Sequence, residues 1–472
     1  MNKFAGAAAV VFALTAAHST GHHQGDEHFQ VLEFAAYKLG RADASDLSWE
    51  FHERMRPALQ PAVAWVVYRM VSGLGLNDPF LIAALLRLLS GGLSLWLMVR
   101  VYARWKPRVA FGKAWVFPAF VFLHWCAFYV GVRFSSENWG GLCAVAGLLA
   151  FPLGGNERRN FLPSGGHSAW LAGVFFGLAF LFRYQMALFI GGFYLWWLVY
   201  ERRAWRPMLR SVAAALATLA VCYPLTFWLY GEWVLPAWNY FSANLVEGRA
   251  AAYGTRPVWA YLELVTLRGI PPLGILYTGG TLVYLYTYRR DPVAWSVGVF
   301  VLVHSLIGRK DVRFLYPLTP LLPVLVAGAW MALRERVRRD RNWIAWAGYT
   351  CAVINGVLLV WVATRPAASE IGPARFAYTY SEGPLGLCGP DADIIKAEGA
   401  TARFYLRGGQ RILPDCGTCG EGQCLYLVRT RDAPEPPPGA SLVYTDRPEA
   451  LSGLLPAGVL DGQKWWYIYA LP

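Results

Sequence analysis

Asp26-Glu27-His28-Phe29-Gln30-Val31-Leu32-Glu33 follows directly on the first apolar segment of this chain, and Leu47-Ser48-Trp49-Glu50-Phe51-His52-Glu53-Arg54-Met55-Arg56-Pro57 follows shortly after it. Both stretches place carboxylates and aromatic rings where a membrane-embedded chain would leave the lipid. An acidic pair at that point can accept a proton from a hydroxyl group and remain within reach of a lipid-borne substrate. The two stretches therefore predict a polar site beside a membrane.

The composition is that of an integral membrane protein. Of the 472 residues, 56% are hydrophobic and 15% are charged, a balance too apolar for a soluble domain of this size. The formal net charge of +13 does not indicate nucleic-acid binding, because Lys and Arg stand in short runs between apolar stretches, as topology signals do.

Eleven apolar segments are candidate spanning helices: residues 4–17, 80–101, 115–132, 138–153, 168–182, 186–200, 209–230, 270–288, 293–308, 313–333 and 344–363. A further apolar stretch, 59–75, is either a span or an interfacial or re-entrant helix. The second choice puts every basic loop on the inner side, so the positive-inside rule favours about eleven spans, with the N-terminus inside and the C-terminus outside. The inner basic residues are then Arg100, Arg104, Lys106, Arg108, Lys113, Arg158, Arg159, Arg202, Arg203, Arg206, Arg289, Arg290 and those from Arg334 to Arg341.

The first apolar segment has two interpretations. Lys3 and the short Ala-rich run fit a cleaved signal peptide, and they also fit an uncleaved anchor. Cleavage would release the Asp26 loop from its anchor, so we favour the uncleaved segment.

The remaining polar residues collect on the outer side in this topology. They lie in loops 26–56, 133–138, 183–185, 231–269 and 309–314. Any single ionisable group at the end of a span is ordinarily a snorkelling anchor. Five groups on one side, interleaved with aromatic residues, instead predict a polar site at the outer surface, and its basic members suit a phosphate group.

Five sequence blocks occur in a characteristic order: the acidic pair with Phe-Gln-x-Leu-Glu, Ser-Trp-Glu-Phe with Arg-x-Arg, Arg-Phe-Ser-Ser-Glu, Arg-Tyr-Gln, and the run from His304 to Pro317. In this order they resemble the mannosyltransferases of glycosylphosphatidylinositol-anchor and lipid-linked oligosaccharide assembly, which are GT-C glycosyltransferases. The resemblance covers residues 1 to 335. Gln24-Gly25 replaces the usual His-Pro, and Arg309-Lys310-Asp311 replaces His-Lys-Glu, as in a divergent or bacterial-type member with its own sugar or acceptor preference.

The resemblance implies inverting transfer of mannose or another hexose without a metal or other cofactor. A polyprenyl-phosphate donor requires a base for the acceptor hydroxyl and cations for the leaving phosphate. Asp26 is the predicted base, and Glu27 orients it or binds sugar hydroxyls; capping of the following helix is the alternative for both. The predicted substrate-binding residues are Trp49, Glu50, Arg133, Glu137, Arg183, Gln185, Asn239, Arg309, Lys310 and Arg313.

These binding residues have ordinary structural alternatives. Trp49 is typical of an interfacial anchor. Arg133 and Glu137 are four residues apart and would pair with each other on one helical turn. Lys310 and Arg313 suit a lipid headgroup as well as a donor phosphate. Anchoring at a helix end or in the aromatic belt is the alternative for Arg183, Gln185 and Asn239.

A helix is predicted after the acidic pair. Phe29, Leu32, Ala36 and Leu39 recur at helical spacing, and the more polar residues Gln30, Glu33 and Tyr37 lie elsewhere on the wheel. This pattern predicts an amphipathic helix on the membrane surface that holds the acidic loop at headgroup depth.

The tail after Arg365 changes character, because apolar spans give way to Pro, Gly and short alternating runs. We expect a transmembrane domain over 1–364, in which 26–75 is the first outer loop with interfacial helices, and a small outer α/β domain over 365–472. Four cysteines lie in this tail, at 388, 416, 419 and 424. They suit zinc or two disulfides, and the outer location favours disulfides.

The sequence thus predicts an α-helical, polytopic GT-C-like glycosyltransferase with its site on the exoplasmic side, in a bacterial inner membrane or the endoplasmic reticulum. Its partners would be a polyprenyl-phosphate sugar, a lipid-linked or envelope glycan, and membrane lipid. One alternative is a lipid or glycan transporter, which would show matching inner polar residues, internal repeats or broken helices, and no repeat is visible. A GT-C enzyme that modifies protein or lipid A is the other alternative.

Overall fold

Apolar segments of this chain form helices almost wherever the sequence predicts them. The computed structural model describes residues 2–111, 113–153, 168–201, 205–337, 341–397, 399–419, 423–447 and 463–472. Among the predicted inner basic residues, Arg158, Arg159, Arg202, Arg203, Arg338 and Arg339 lie outside the described residues.

The α-helices are numbered in chain order. They are α1 Asn2–His18, α2 Gly25–Glu27, α3 Glu33–Lys38, α4 Trp49–His52, α5 Leu59–Gly73, α6 Pro79–Trp105, α7 Val116–Leu123, α8 Trp125–Gly131, α9 Ser136–Ala150, α10 Ala169–Phe182, α11 Met186–Tyr200, α12 Trp205–Cys222, α13 Pro224–Tyr230, α14 Pro236–Phe241, α15 Arg249–Ala252, α16 Ala260–Arg268, α17 Leu273–Thr287, α18 Pro292–Leu306, α19 Leu322–Val337, α20 Arg341–Thr364 and α21 Ile371–Tyr380. Two π-helical turns, His28–Leu32 and Ser242–Val246, and three 3₁₀ helices, Ala44–Asp46, Val312–Leu321 and Cys416–Thr418, complete the described helical set.

All eleven apolar segments predicted from the sequence are helical. Four helices among the described residues are long and apolar enough to cross a membrane, namely Pro79–Trp105, Trp205–Tyr230, Val312–Arg334 and Trp343–Thr364. Five shorter apolar helices are Lys3–His18, Val116–Gly131, Ala169–Phe182, Met186–Tyr200 and Pro292–Leu306. The number of segments that cross the membrane, the topology and the interfacial position of residues 59–75 stay predictions.

The described residues form two compact units. The first contains Met1–Ser19, Glu53–Val63 and Ala84–Arg365, and the second contains Thr20–His52, Ala64–Ala83 and Pro366–Pro472. The second unit is larger than the predicted tail domain, because it includes the loop that carries the acidic pair.

Glycines let the helices of the first unit approach closely. A Cβ atom on Gly141 of α9 would lie 2.5 Å from the Cα and carbonyl oxygen of Pro317 in the 3₁₀ helix Val312–Leu321. A Cβ atom on the neighbouring Gly140 would lie 3.1 Å from the Cβ of Arg183. Small residues at such contacts are the usual means by which membrane helices pack backbone to backbone. This glycine pair brings together three elements that carry predicted site residues.

The apolar stretch 115–132 is broken at His124, between α7 and α8. The side chain of Asn355 in α20 donates to the carbonyl of Leu123 (2.8 Å) and accepts from the amide of Trp125 (2.9 Å). A break inside a hydrocarbon layer is tolerated where a neighbouring helix satisfies the exposed backbone groups in this way.

The tail forms the small mixed α/β structure that its sequence predicts. Strands β1 Leu385–Cys388, β4 Gln410–Ile412, β5 Gln423–Thr430, β6 Ser441–Thr445 and β7 Trp465–Ala470 make one sheet in the order β4-β1-β5-β7-β6, and β2 Lys396–Ala397 and β3 Ala400–Thr401 make a separate pair. β1 pairs in parallel with β4 and β5, whereas β7 is antiparallel to β5 and β6. Disulfides join Cys388 to Cys416 and Cys419 to Cys424, which confirms the favoured prediction for these cysteines.

Candidate active site

The acidic pair begins a helix. Asp26 and Glu27 are in the first turn of α2, which continues without interruption through the π turn into α3. Asp26 is half-buried and Glu27 is buried. A carboxylate in a first turn complements the helix dipole, so the capping role remains compatible with this position.

This helix does not expose the polar side that an amphipathic surface helix would have, and its place at the membrane surface stays a prediction. Gln30 and Glu33, expected on that polar side, are both buried, and Glu33 has no exposed surface. The tail of the chain covers Glu33, whose carboxylate accepts hydrogen bonds from the backbone amides of Arg403 and Phe404. Gln30 instead donates to Glu50 of α4. Nothing near Glu33 in the sequence indicates its partners in the tail.

Two further predicted binding residues stand beside the acidic helix in the second unit. Glu50 in α4 is buried and accepts a hydrogen bond of 2.9 Å from the Nε2 atom of Gln30. Trp49 is half-buried at the start of the same helix. The structure thus groups Asp26, Glu27, Trp49 and Glu50 in one compact unit, while their contact with a sugar stays a prediction.

Arg133 and Glu137 do not share a helical turn, contrary to the alternative drawn from their spacing. Helix α9 begins at Ser136, so Arg133 precedes it. The Arg133 guanidinium donates instead to the carbonyl oxygen and the hydroxyl of Ser19, just beyond the end of α1. A cation at a helix C-terminus is electrostatically favourable. This contact indicates a structural role for Arg133.

Glu137 pairs with Arg183. Glu137 lies in the first turn of α9 and Arg183 is the residue that ends α10; their side chains meet at 2.9 Å and are only 5% and 6% exposed, respectively. Arg183 also donates to the hydroxyl of Ser136 at 2.9 Å. This buried pair fixes the Arg183 guanidinium between the start of α9 and the end of α10.

The loop that follows α18 carries the predicted phosphate ligands. The Nζ atom of Lys310 donates to the carbonyls of Ile307 (2.7 Å) and Arg256 (2.9 Å), which uses two of its three N–H groups. Burial lowers the pKa of Lys310 from its ordinary value. Arg309 donates to the carbonyl of Tyr253. The loop is therefore tied to the segment 253–256 by its own cations.

Arg313 and Arg183 approach the same aromatic ring. Their guanidinium carbons lie 5.4 Å and 5.8 Å from the ring centroid of Phe314. Asp311 caps the 3₁₀ helix by accepting from the amide of Arg313 (3.1 Å), and its carboxylate lies 3.5 Å from the Nε atom of that residue. The pairing of the two arginines around Phe314 joins the end of α10 to the loop after α18.

Tyr261, which the sequence analysis did not single out, belongs to the same neighbourhood. Burial raises the pKa of its phenol, and the charge of the Asp311 carboxylate acts in the same direction. A hydrogen bond with the Asp311 backbone and the charges of Arg183 and Arg309 lower it. Within the described structure, the Nε atom of Arg183 is buried and has no hydrogen-bond partner. A buried polar atom of this kind is expected to meet water or a bound ligand.

We call this group the cation cluster. It contains four cations, two carboxylates, a phenol and a phenyl ring: Arg183, Arg309, Lys310, Arg313, Glu137, Asp311, Tyr261 and Phe314. Four positive charges against two negative ones leave an excess of two by count. A site of this sign suits a phosphate group.

The last two predicted residues tie the segment 231–269 to its neighbours in the first unit. Gln185 donates to the hydroxyl of Tyr240 at 2.8 Å, and Asn239 donates to the carbonyl of Glu53 at 3.1 Å. Trp233 and Trp238 of the segment are exposed, as expected of membrane-belt aromatics. These contacts indicate that Gln185 and Asn239 hold the segment in place.

Comparison with known proteins finds relatives that are GPI mannosyltransferases. The chain is 27% identical over 371 residues to GPI mannosyltransferase 3 of Yarrowia lipolytica, covering 74% of this chain and 68% of that protein. It is 25% identical over 301 residues to human GPI alpha-1,2-mannosyltransferase 3, covering 62% of this chain and 51% of that protein. The chain thus spans about half to two thirds of the length of these relatives.

The fold is also found in a solved structure. The crystal structure of ArnT from Cupriavidus metallidurans bound to undecaprenyl phosphate aligns with a TM-score of 0.53 and 15% identity, covering 98% of this chain and 97% of that one. This likeness confirms the predicted GT-C-like fold. The model of the Alg9-like mannosyltransferase family matches residues 7–373. Because this match covers well over half of the sequence, the chain belongs to the Alg9-like mannosyltransferase family of glycosyltransferases.

Proposed function

We propose that this protein transfers mannose, or another hexose, from a polyprenyl-phosphate donor to a hydroxyl of a lipid-linked glycan, with inversion at the anomeric carbon. The observation that carries the proposal is the cation cluster, a group with excess positive charge and an unsatisfied buried donor, Arg183 Nε, in a member of a mannosyltransferase family. The relatives named GPI mannosyltransferase 3 and the ArnT structure bound to undecaprenyl phosphate support the choice of sugar and donor class.

Asp26 is the proposed general base. The acceptor hydroxyl gives its proton to the Asp26 carboxylate as its oxygen bonds to the anomeric carbon, and the bond from that carbon to the donor phosphate breaks. The electron pair of the broken bond stays on the phosphate. An ordinary Asp has a pKa of about 4 and is a weak base for an alcohol, so proton transfer is late, when the sugar has gained oxocarbenium character. Glu27 orients Asp26 or binds a sugar hydroxyl.

The cation cluster is the proposed site for the donor phosphate. The negative charge on the donor phosphate grows during the reaction, because the phosphate diester becomes a monoester. Fixed cations stabilise this added charge without having to reorganise. Arg183 is fixed by Glu137 and Ser136, and Lys310 is fixed by two carbonyls. The phenol of Tyr261 and the Nε atom of Arg183 then supply hydrogen bonds to phosphate oxygens.

We place the reaction on the exoplasmic side of the membrane. Asp26 and the two disulfides of the tail belong to the same compact unit. Disulfides persist in the periplasm and in the lumen of the endoplasmic reticulum. A unit that contains both features would therefore expose the acidic pair to one of these compartments.

The direct test is transfer of radiolabelled sugar from polyprenyl-phosphate donors by the purified protein. We expect wild-type activity with a polyprenyl-phosphate hexose, loss of activity in Asp26→Asn, and retention in the matched variant Asp432→Asn, since Asp432 is an exposed residue of the tail. Full activity of Asp26→Asn would refute the assignment of Asp26 as the general base. Transfer from nucleotide sugars alone would refute the assignment of a polyprenyl-phosphate donor. Movement of the labelled lipid across liposomes without transfer would instead favour a transporter.

A further inference from the structure

The tail of the chain reaches the acidic segment at its first residues. The amides of Ala367 and Ala368 donate to the carbonyl of Thr20 at 2.8 Å and 3.1 Å. Gly21 has a φ of +84°, and a Cβ atom on it would lie 2.6 Å from the Cβ of Ala368. Only glycine meets both the backbone conformation and the close approach at that position. The start of the segment that leads to Asp26 is thus packed against the beginning of the tail.

The tail holds the same segment a second time at Glu33. The Glu33 carboxylate accepts hydrogen bonds from the amides of Arg403 (2.9 Å) and Phe404 (3.0 Å), and lies 2.7 Å from the Nε2 atom of His28. A buried carboxylate is stable only when such donors compensate for its lost hydration. The His28 ring in turn stacks on Tyr405, with centroids 5.5 Å apart and planes inclined by 5°.

The stretch 403–406 is itself firmly placed within the second unit. The Arg403 side chain forms an ion pair of 3.0 Å with Asp46. Tyr405 stacks on Phe80 at 4.7 Å, and Arg41 donates to the carbonyl of Leu406. Residues 403–406 therefore have a defined position in the second unit. A side chain that binds them is held at a fixed place relative to the tail domain.

We propose that Glu33 is a positioning residue, through which the tail domain sets the location of the Asp26 carboxylate. Glu33 lies seven residues beyond Asp26 on a continuous helical run, about 10 Å along the axis, so displacement or rotation at Glu33 is carried to the acidic pair. Residues 403–405 lie outside the family match, which ends at 373. The inference rests on the proposed function only in assigning catalysis to Asp26.

The test compares Glu33→Gln with Arg403→Gln in the full-length protein. Glu33→Gln removes the charge and leaves one acceptor oxygen where the carboxylate has two. Arg403→Gln loses the ion pair to Asp46 and keeps the amide that Glu33 binds, together with the contacts of Tyr405 and Leu406. A misplacement of about 1 Å costs up to about 100-fold in rate. We expect kcat to fall by about 10- to 100-fold in Glu33→Gln with the KM for the donor unchanged, and to stay within about twofold in Arg403→Gln.

Amide hydrogen exchange on the same samples provides a second readout. Glu33→Gln should accelerate exchange at 403–404 and along residues 28–33, and Arg403→Gln should not. Where Glu33→Gln does not fold, Glu33→Asp keeps the charge, shortens the side chain by one methylene, and should give a smaller fall in kcat. Unchanged kcat in folded Glu33 variants would overturn the proposal, as would unchanged exchange along 28–33.

The same experiment separates this proposal from the proposed function. If the wild type transfers no sugar from any polyprenyl-phosphate donor, the proposed function fails. The exchange data then decide the positioning claim alone: faster exchange along residues 28–33 in Glu33→Gln supports it, and unchanged exchange overturns it.

Discussion

The buried pair of Glu137 and Arg183 gives a prediction in which stability and activity separate. Replacing Glu137 by Leu leaves a guanidinium that is only 6% exposed without its carboxylate. Breaking one side of such a pair costs about 3–5 kcal/mol, because the remaining charge stays buried, whereas removing both sides is often close to neutral. We therefore expect Glu137→Leu to be destabilised by about 3–5 kcal/mol and the double variant with Arg183→Met to recover at least about 2 kcal/mol of that loss.

Unfolding of the purified single and double variants in mixed detergent and SDS micelles measures these differences. The double variant should be folded yet bind a polyprenyl-phosphate sugar at least about tenfold more weakly, because the cation cluster has lost one of its fixed cations. If each single variant lost less than about 1 kcal/mol of unfolding free energy and the two losses added in the double variant, the pair would be solvated. That result would refute the claim that Glu137 compensates a buried charge on Arg183. Unchanged donor binding in the double variant would remove Arg183 from the proposed site.

Three further perturbations follow from named contacts. Lys310→Gln should raise the donor KM by at least about tenfold in the transfer assay, since one charge of the cluster and its ties to two carbonyls are lost. Replacing Cys388 and Cys416 by Ser should lower the unfolding free energy by about 2–5 kcal/mol. Reductant should make this difference in unfolding free energy smaller, because it opens the same disulfide in the wild type. Burial raises the pKa of Asp393 to about 6, so the native state binds the proton more tightly than the unfolded chain does. Stability should therefore fall as the pH rises from about 4 to 6, and Asp393→Asn should flatten that dependence in thermal unfolding.

Much of the fold could be predicted because its signals are local. Each apolar segment specifies a helix by its own composition, and the alternating runs and clustered cysteines of the tail specify a small disulfide-bonded sheet. The family could be recognised because the motif blocks stand in order along the chain. None of these predictions depends on which segments of the chain are in contact in the folded protein.

The site could be predicted only in outline, because its contacts join distant parts of the chain. The spacing of Arg133 and Glu137 fits a helical pair, but the helix begins at Ser136 and the partner of Glu137 is Arg183, 46 residues further on. The burial of Glu33 depends on Arg403, 370 residues away. Periodicity reports which residues share a face of a helix, and it carries no information about what covers that face.

The central claim is that Asp26 takes part in chemistry rather than in holding the substrate. It is tested most directly by measuring donor binding and sugar turnover on the same preparation of Asp26→Asn. The account predicts a dissociation constant for polyprenyl-phosphate mannose within about threefold of wild type and turnover lower by about 10²- to 10⁴-fold. Turnover at the wild-type rate in a variant that binds the donor normally would contradict it.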